Sequence, residues 1–338
     1  MIQSLIKQLV EKKDLTSQEM QEVMQEILSG TTTTADIILF LTSLSSKGET
    51  VDELTAAVKI MLKYVTPIIV DRANILDTCG TGGDCRGTFN ISTIAALVAS
   101  GAGVTVAKHG NRAVSSKCGS ADILEALGVN INLEREQLKK CLEEIGIAFL
   151  FAPNLHPAMK SVMAARKQIA QKTIFNILGP LINPARATNQ LIGVYARHWV
   201  RPLAEVLHNL GSRHVLVVRG EDGLDEVSTT QETFVAEACG EVVKNYSICP
   251  EDFGFARSKL SDLLGGSVQE NALIAREILS GKKGKKREIV LLNAGCAIYA
   301  ADKAQSIAAG ITLAKAALDS GAALKKLELL KESSHSHG

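Results

Sequence analysis

The chain has 338 residues, of which 46% are hydrophobic, ample for a buried core, and its length points to about two domains. Lysines and arginines number 37 against 36 aspartates and glutamates, and the formal net charge of +1 excludes a global pull toward nucleic acid or a membrane. Seven cysteines, odd in number and without CxxC pairing, argue for reduced thiols in a cytosolic protein over a disulfide framework or zinc site.

Residues 1–65 read as helices. Ile2, Leu5, Ile6, Leu9 and Val10 follow helical spacing, and Met20, Val23, Met24, Ile27 and Leu28 repeat it. Thr16 with Glu19, and Thr50 with Glu53, fit capping boxes, while Gly30 and Gly48 fall at breaks. Apolar helical stripes of this kind mean a packing or dimer-forming module rather than a catalytic one. No secretory signal pattern opens the chain, and no uninterrupted apolar run is long enough to span a bilayer.

The pattern changes near Thr66-Pro67. Ile75-Leu76 runs into Gly80-Thr81-Gly82-Gly83-Asp84. A buried helix over Ile94 to Val98 is entered through Asn90, Ser92 and Thr93, and Val104-Thr105-Val106 is strand-like, with Lys108 directly after it. Ser120 starts the next helix, a further one spans about Arg135 to Glu144, and Ile147 to Phe151 is an apolar run. This strand, loop, helix rhythm belongs to an α/β domain that binds ligands at strand carboxyl ends. His156 to Gln171 reads as helical and contains Arg166. Leu191 to Tyr195 and His214 to Val218 read as strands, Gly220 to Glu226 as an acidic loop, Phe234 and Val242 as parts of a small antiparallel excursion, and Gln269 to Leu330 as alanine-rich helix. Residues 333–338 read as a disordered tail whose two histidines make no metal site.

The glycine loop alone is a weak signal. It lacks the third glycine of the dinucleotide fingerprint, and no Gly-Lys-Ser/Thr follows as in a Walker loop. A tight turn explains it equally well. Asn90, Ser92 and Thr93 are more than one helix cap requires, however, and Lys108, His109, Asn111, Arg112, Ser115, Ser116, Lys117 and Ser120 add amides, hydroxyls and cations. Together they read as a site for a heavily phosphorylated small molecule, with a solvated charged loop as the alternative. Asp84 would repel a bare anion, so it suits a sugar hydroxyl or a metal. Asp225-Glu226 is a better Mg²⁺ candidate, provided the loop turns so that both carboxylates face one way; a solvated acidic turn is the alternative.

In combination these stretches, with Phe175 to Pro184 and Leu292-Asn293-Ala294, resemble the anthranilate phosphoribosyltransferase family. The resemblance implies an α/β fold class: a small all-helical domain plus a large α/β domain with a central mostly parallel sheet. The implied boundaries are 1–66, completed by helices around 162–186, and 67–332. It implies transfer of the phosphoribosyl group of 5-phosphoribosyl 1-pyrophosphate to anthranilate, releasing pyrophosphate, in tryptophan biosynthesis. It further implies Mg²⁺, two ions per site, and a cytoplasmic homodimer formed through the helical domain. For the phosphoribosyl substrate it implies Gly80, Gly83, Asp84, Thr88, Asn90, Ile91, Ser92 and Thr93 on one loop. On the other it implies Lys108, His109, Gly110, Asn111, Arg112, Ala113, Val114, Ser115, Ser116 and Ser120. Gly80, Asn111 and Arg166 match anthranilate contacts, and Ser92, Asp225 and Glu226 match metal ligands. No general base is implied; His109 is the candidate, for orientation. Departures are Cys118, Arg219 and, most clearly, Cys85-Arg86, where the family keeps small residues. Arg86 has two readings, a solvated cation or a contact to pyrophosphate. Rival readings are a pyrimidine nucleoside phosphorylase and a nucleic-acid-binding relative, the latter resting on Lys282 to Arg287, a cluster that otherwise reads as a solvated loop.

Overall fold

The structure is a computed structural model that describes residues 1–113 and 117–336. It opens with α1 (Ile2–Val10), α2 (Ser17–Leu28), α3 (Thr34–Lys47) and α4 (Val51–Met61). Local chemistry fixes two of the starts: Thr16 and Thr50 each accept from the backbone of Glu19 and Glu53, whose carboxylates accept from the cap N–H at 2.8 Å. The apolar faces bury Leu9, Met20, Ile27, Phe40 and Leu54 completely. Glu53 is buried with them, and its charge is offset by Lys47 at 2.9 Å and by the Leu15 N–H at 2.9 Å.

The larger part follows as β1 (Leu76–Gly80), α5 (Ile91–Gly101), β2 (Val106–Gly110), α6 (Ser120–Ala126), α7 (Arg135–Lys140) and β3 (Ile147–Phe151). Next come α8 (Ala152–Leu155), α9 (Lys160–Gln168), α10 (Phe175–Leu178), β4 (Asn189–Gly193), α11 (Val200–Asn209) and β5 (His214–Gly220). The hairpin β6 (Thr233–Cys239) and β7 (Val242–Ile248) leads to α12 (Val268–Leu279), α13 (Lys285–Ala300), α14 (Ile307–Asp319) and α15 (Ala322–His335). Among the described residues these strands make one seven-stranded sheet in the order β3-β2-β1-β4-β5-β6-β7. The first five are mutually parallel and the hairpin adds two antiparallel strands at one edge.

Two cores cover the two sheet faces. The period of two along β5 sends Leu216 and Val218 into the core shared with α5 and α12 to α15, and Val215 and Val217 into the core shared with α1 to α4, α9 and α11. The small helical layer thus packs on the same side as α9 and α10.

Three expectations change in detail. Strand β2 begins at Val106, not Val104, so Lys108 and His109 lie inside it and are buried. The helix expected over His156 to Gln171 is broken: Pro157–Met159 is a 3₁₀ turn, and the α-helix proper runs Lys160–Gln168. The tail is helical through His335, because Ser334, 1% exposed, accepts from the Asn130 N–H at 2.9 Å and docks α15. His337 and Gly338 lie outside the described residues. Among those described, no single helix is long and apolar enough to cross a membrane.

Candidate active site

Strand order reverses at β1, which pairs with β2 on one side and β4 on the other, so a crevice opens at the carboxyl ends of β1 and β4. The acidic loop after β5 folds over this crevice. A Cβ on Gly193 would fall 1.5 Å from the Asp225 carbonyl oxygen, and one on Gly80 would fall 2.7 Å from Asp225 Oδ2. Only residues without side chains admit the loop so closely. Asp225 Oδ2 accepts from the Gly82 N–H at 2.9 Å, while Glu226 Oε1 accepts from the Ser92 N–H at 3.0 Å at the start of α5. The loop therefore turns enough for adjacent carboxylates to serve one cleft. Asn293, buried in α13, holds the turn: it accepts from the Val227 N–H at 2.9 Å and donates to the Val227 carbonyl at 2.8 Å.

The cleft concentrates negative charge. Burial, then the Asp84 carboxylate, push Asp225 up to about 7, and burial, then Asp225, push Glu226 well above its usual range. Crowded hard-oxygen donors of this kind fit Mg²⁺. Among the described residues no three His, Cys, Asp or Glu side chains already converge on one point. A cation held here would draw further oxygens from the Ser92 hydroxyl, water and substrate phosphate.

Lys108 supplies the opposing charge. It is 4% exposed, and its Nζ donates to the Thr78 carbonyl at 2.5 Å and to Ser92 Oγ at 3.4 Å. Burial lowers its pKa, while Asp77 and Glu226 act to raise it. Asp77 underlies the strand ends, accepting from the His109 N–H at 3.0 Å and from Asn183 Nδ2 at 2.7 Å; burial pushes it up to about 6. The His109 and His156 rings share an Nε2···Nε2 hydrogen bond of 2.9 Å. Burial, then His156, hold His109 at about 3, and burial holds His156 at about 4, so both rings are neutral near pH 7.

The other expected residues divide. Gly83 and Asp84 stand in the glycine loop, and Thr88 bridges to Leu264. Ile91 and Thr93 are buried at the head of α5, so Ile91 offers the cleft backbone only. Asn90 donates from Nδ2 to the Cys118 carbonyl at 2.8 Å and ties α5 to the second loop. Gly110 ends β2, and Ser120 Oγ donates to the Asn111 carbonyl at 3.2 Å. Asp122 gathers that loop by accepting from the Ala113 and Gly119 N–H groups at 2.9 and 2.8 Å. Arg112 turns to α6, pairing with Asp122 at 3.1 Å and Glu125 at 2.9 Å. Val114, Ser115 and Ser116 lie outside the described residues. The Arg166 guanidinium lies 5.7 Å from the centre of the Phe175 ring, its pKa lowered by burial, and makes no side-chain hydrogen bond or ion pair among the described residues.

Sequence reasoning missed the roles of Asn293, Asn183, Asp122 and Lys172, whose partners are mostly remote in the chain. Lys172 Nζ reaches the Gly83 carbonyl at 3.3 Å. Arg86 is exposed and its guanidinium lies against Gly223 of the acidic loop. The basic run Lys282 to Arg287 is largely spent on structure: Lys282 pairs with Glu277, Lys285 with Glu288 and Arg287 with Asp319, while Lys286 donates to the Asp262 and Leu264 carbonyls.

A helical bundle beside an α/β domain with this cleft is the architecture of a glycosyl transferase family. The model of that family's helical bundle domain matches residues 3–65, and the model of its a/b domain matches residues 72–324. The chain is 52% identical over 344 aligned positions to an anthranilate phosphoribosyltransferase of Geobacter sp. (strain M21), with 98% of each chain covered. It is 49% identical to one of Alkalilimnicola ehrlichii, with 97% of each covered. The crystal structure of anthranilate phosphoribosyltransferase from Thermus thermophilus superposes with a TM-score of 0.93 at 41% identity, covering 98% of this chain and 99% of that one. The Saccharomyces cerevisiae enzyme in complex with PRPP and Mg gives 0.90 at 30% identity, covering 99% and 98%. The chain belongs to the anthranilate phosphoribosyltransferase family.

Proposed function

We propose that the protein transfers the phosphoribosyl group of 5-phosphoribosyl 1-pyrophosphate to the amine of anthranilate, giving N-(5-phosphoribosyl)anthranilate and pyrophosphate, in tryptophan biosynthesis. The observation that carries this reading is the joining of Lys108, Ser92 and Glu226 at the head of α5, on a chain alike over its whole length to enzymes of that name. Breaking the C1–pyrophosphate bond leaves negative charge on the departing group. In this reading Lys108 and the N–H groups of the glycine loop and α5 other than those of Gly82 and Ser92, which the carboxylates take, stabilise it. Mg²⁺, two ions per site, held by Asp225, Glu226 and Ser92, supplies further charge neutralisation when bound. Arg166 presents a planar fork to the anthranilate carboxylate, with Asn111 and Gly80 beside it. The arylamine is already a neutral nucleophile, so positioning replaces a strong base, and neutral His109 and His156 orient rather than deprotonate.

In the same proposal the small unit is 1–66 with the helices of 162–186, the large unit is 67–332, and the protein is a homodimer. Val10 on α1, Leu39 on α3 and Met163 on α9 are exposed apolar side chains that support pairing through the helical unit. A cytoplasmic location is supported by seven scattered cysteines without CxxC pairing. The deciding experiment follows loss of anthranilate fluorescence with phosphoribosyl pyrophosphate and Mg²⁺; unchanged fluorescence rejects the reading.

A further inference from the structure

Lys172 lies in the segment that joins α9 to α10. Its backbone carbonyl accepts from Ser45 Oγ on α3 at 3.0 Å, which ties it to the helical layer. Its ammonium reaches the other way. Nζ donates to the Gly83 carbonyl at 3.3 Å and stands 3.2 Å from the centre of the Tyr195 ring. Tyr195 is itself fixed: its N–H donates to Thr81 Oγ1 at 3.0 Å, and its hydroxyl accepts from Trp199 Nε1 at 3.1 Å. No carboxylate lies within ion-pair distance of Lys172 among the described residues; Asp225 and Asp84 act on its charge from further off, and its direct contacts are the ring face and the loop carbonyl. The glycine loop is thereby gripped from two sides. Asp225 takes the Gly82 N–H, and Lys172 gives to the carbonyl of the next residue.

We propose that Lys172 is a positioning residue for phosphoribosyl pyrophosphate, clamping Gly83 from the helical side so that the glycine loop keeps its N–H groups turned toward the diphosphate. This rests on the phosphoribosyl-transfer reading. A carbonyl pulled toward an ammonium fixes the plane of its own peptide unit, so the Asp84 N–H is held pointing the opposite way from Lys172. The clamp also joins the helical layer to the substrate loop through one residue.

The test compares Lys172→Met, which keeps length and loses charge, with Lys172→Arg. Lys172→Met is expected to raise the KM for phosphoribosyl pyrophosphate roughly tenfold, the scale of a lost charge-assisted hydrogen bond. The anthranilate KM and the unfolding temperature stay near the parent values, and Lys172→Arg recovers most of the loss. An unchanged KM for phosphoribosyl pyrophosphate, an equal rise in both KM values, or an Arg variant as defective as Met overturns the clamp. If Lys172→Met unfolds early, Tyr195→Leu is read instead; the same selective rise supports the clamp and its absence overturns it. The parent enzyme separates the two claims. No turnover by the parent rejects the functional reading and the clamp with it, whereas an active parent beside an indifferent Met variant rejects the clamp alone.

Discussion

Arg166 has a guanidinium stacked over Phe175 and no acid to answer it among the described residues, which suits a side chain reserved for a carboxylate from outside. Arg166→Ala is expected to raise the anthranilate KM at least about tenfold, the worth of a charged hydrogen bond, and to leave the phosphoribosyl pyrophosphate KM nearly unchanged. Steady-state kinetics in both substrates check this, and equal effects would mark Arg166 as a folding residue. The paired carboxylates call for a different measurement. Asp225→Asn with Glu226→Gln keeps size and removes charge, so activity titrated against Mg²⁺ should lose its dependence at low millimolar metal and fall overall. An unaltered titration curve would place the metal elsewhere. Arg86 illustrates how residue-scale reading stops short: its neighbours in sequence are small, and only the fold shows that its guanidinium rests on Gly223, between the two loops of the cleft.

At the scale of elements, His214 at the start of β5 binds Asp302 through Nδ1 at 2.8 Å and Glu237 of β6 through Nε2 at 2.9 Å. Arg213 also reaches Asp302, at 2.6 Å, and Tyr299 donates to Glu237 at 2.7 Å. Burial opposes charge at both partners. Hydrogen bonds from His214, Tyr299 and Tyr246 nonetheless hold Glu237 down at about 2, and those to Glu237 and Asp302 raise His214 above its usual value. The signs define a window. Glu237 stabilises above its unfolded value of 4.5 and loses that contribution as pH falls toward 2. His214 stabilises below its unfolded value of 6.5 and loses its contribution as pH rises through its folded value. Glu237→Gln should therefore cost about 2 kcal/mol, most between pH 4.5 and 6.5 and less on either side. Unfolding temperatures across a pH series decide it; a pH-independent difference would mean the loss is one of packing.

Elements also show what the sequence made legible. The boxes at Thr16 and Thr50 depend on residues three apart and were readable without a fold. The burial of Lys108 was not, because lysine normally stays in water and its compensation comes from Thr78 on a neighbouring strand. Asn293 was legible only as part of the Leu292-Asn293-Ala294 resemblance, without a role; its partner, Val227, is in another loop. Lys172 carried no motif, and its partners lie on β4's following loop and on the glycine loop. The cleft's loops were legible because composition marks them, whereas the residues that brace the loops were hidden by distance along the chain.

For the whole molecule, the two sheet faces are unequal partners. One is covered by α5 and the carboxyl-terminal helices, the other by the helical layer, whose outer surface exposes Val10 and Leu39. Four of the eight large exposed apolar side chains among the described residues, Met1, Val10, Leu39 and Met163, lie on that side, and the proposed dimer would cover them. Leu39→Asp should convert a dimer into a monomer by sedimentation velocity at micromolar protein; a parent chain that sediments as a monomer rejects the pairing. The basic run near Lys282 argues separately against a polyanion partner, since Lys282, Lys285, Lys286 and Arg287 are answered within the chain.

The approach of Asp225 to Gly193 and Gly80 constrains how this chain can vary. Gly193 carries no assigned substrate contact, yet adding a single carbon there would collide with main chain that has no rotamer to yield. Inheritance at that position is policed by architecture before chemistry is ever consulted. If Arg166 reads the acceptor as proposed, a descendant seeking a new acceptor varies around that short helix, while the diphosphate end is fenced by the sheet itself.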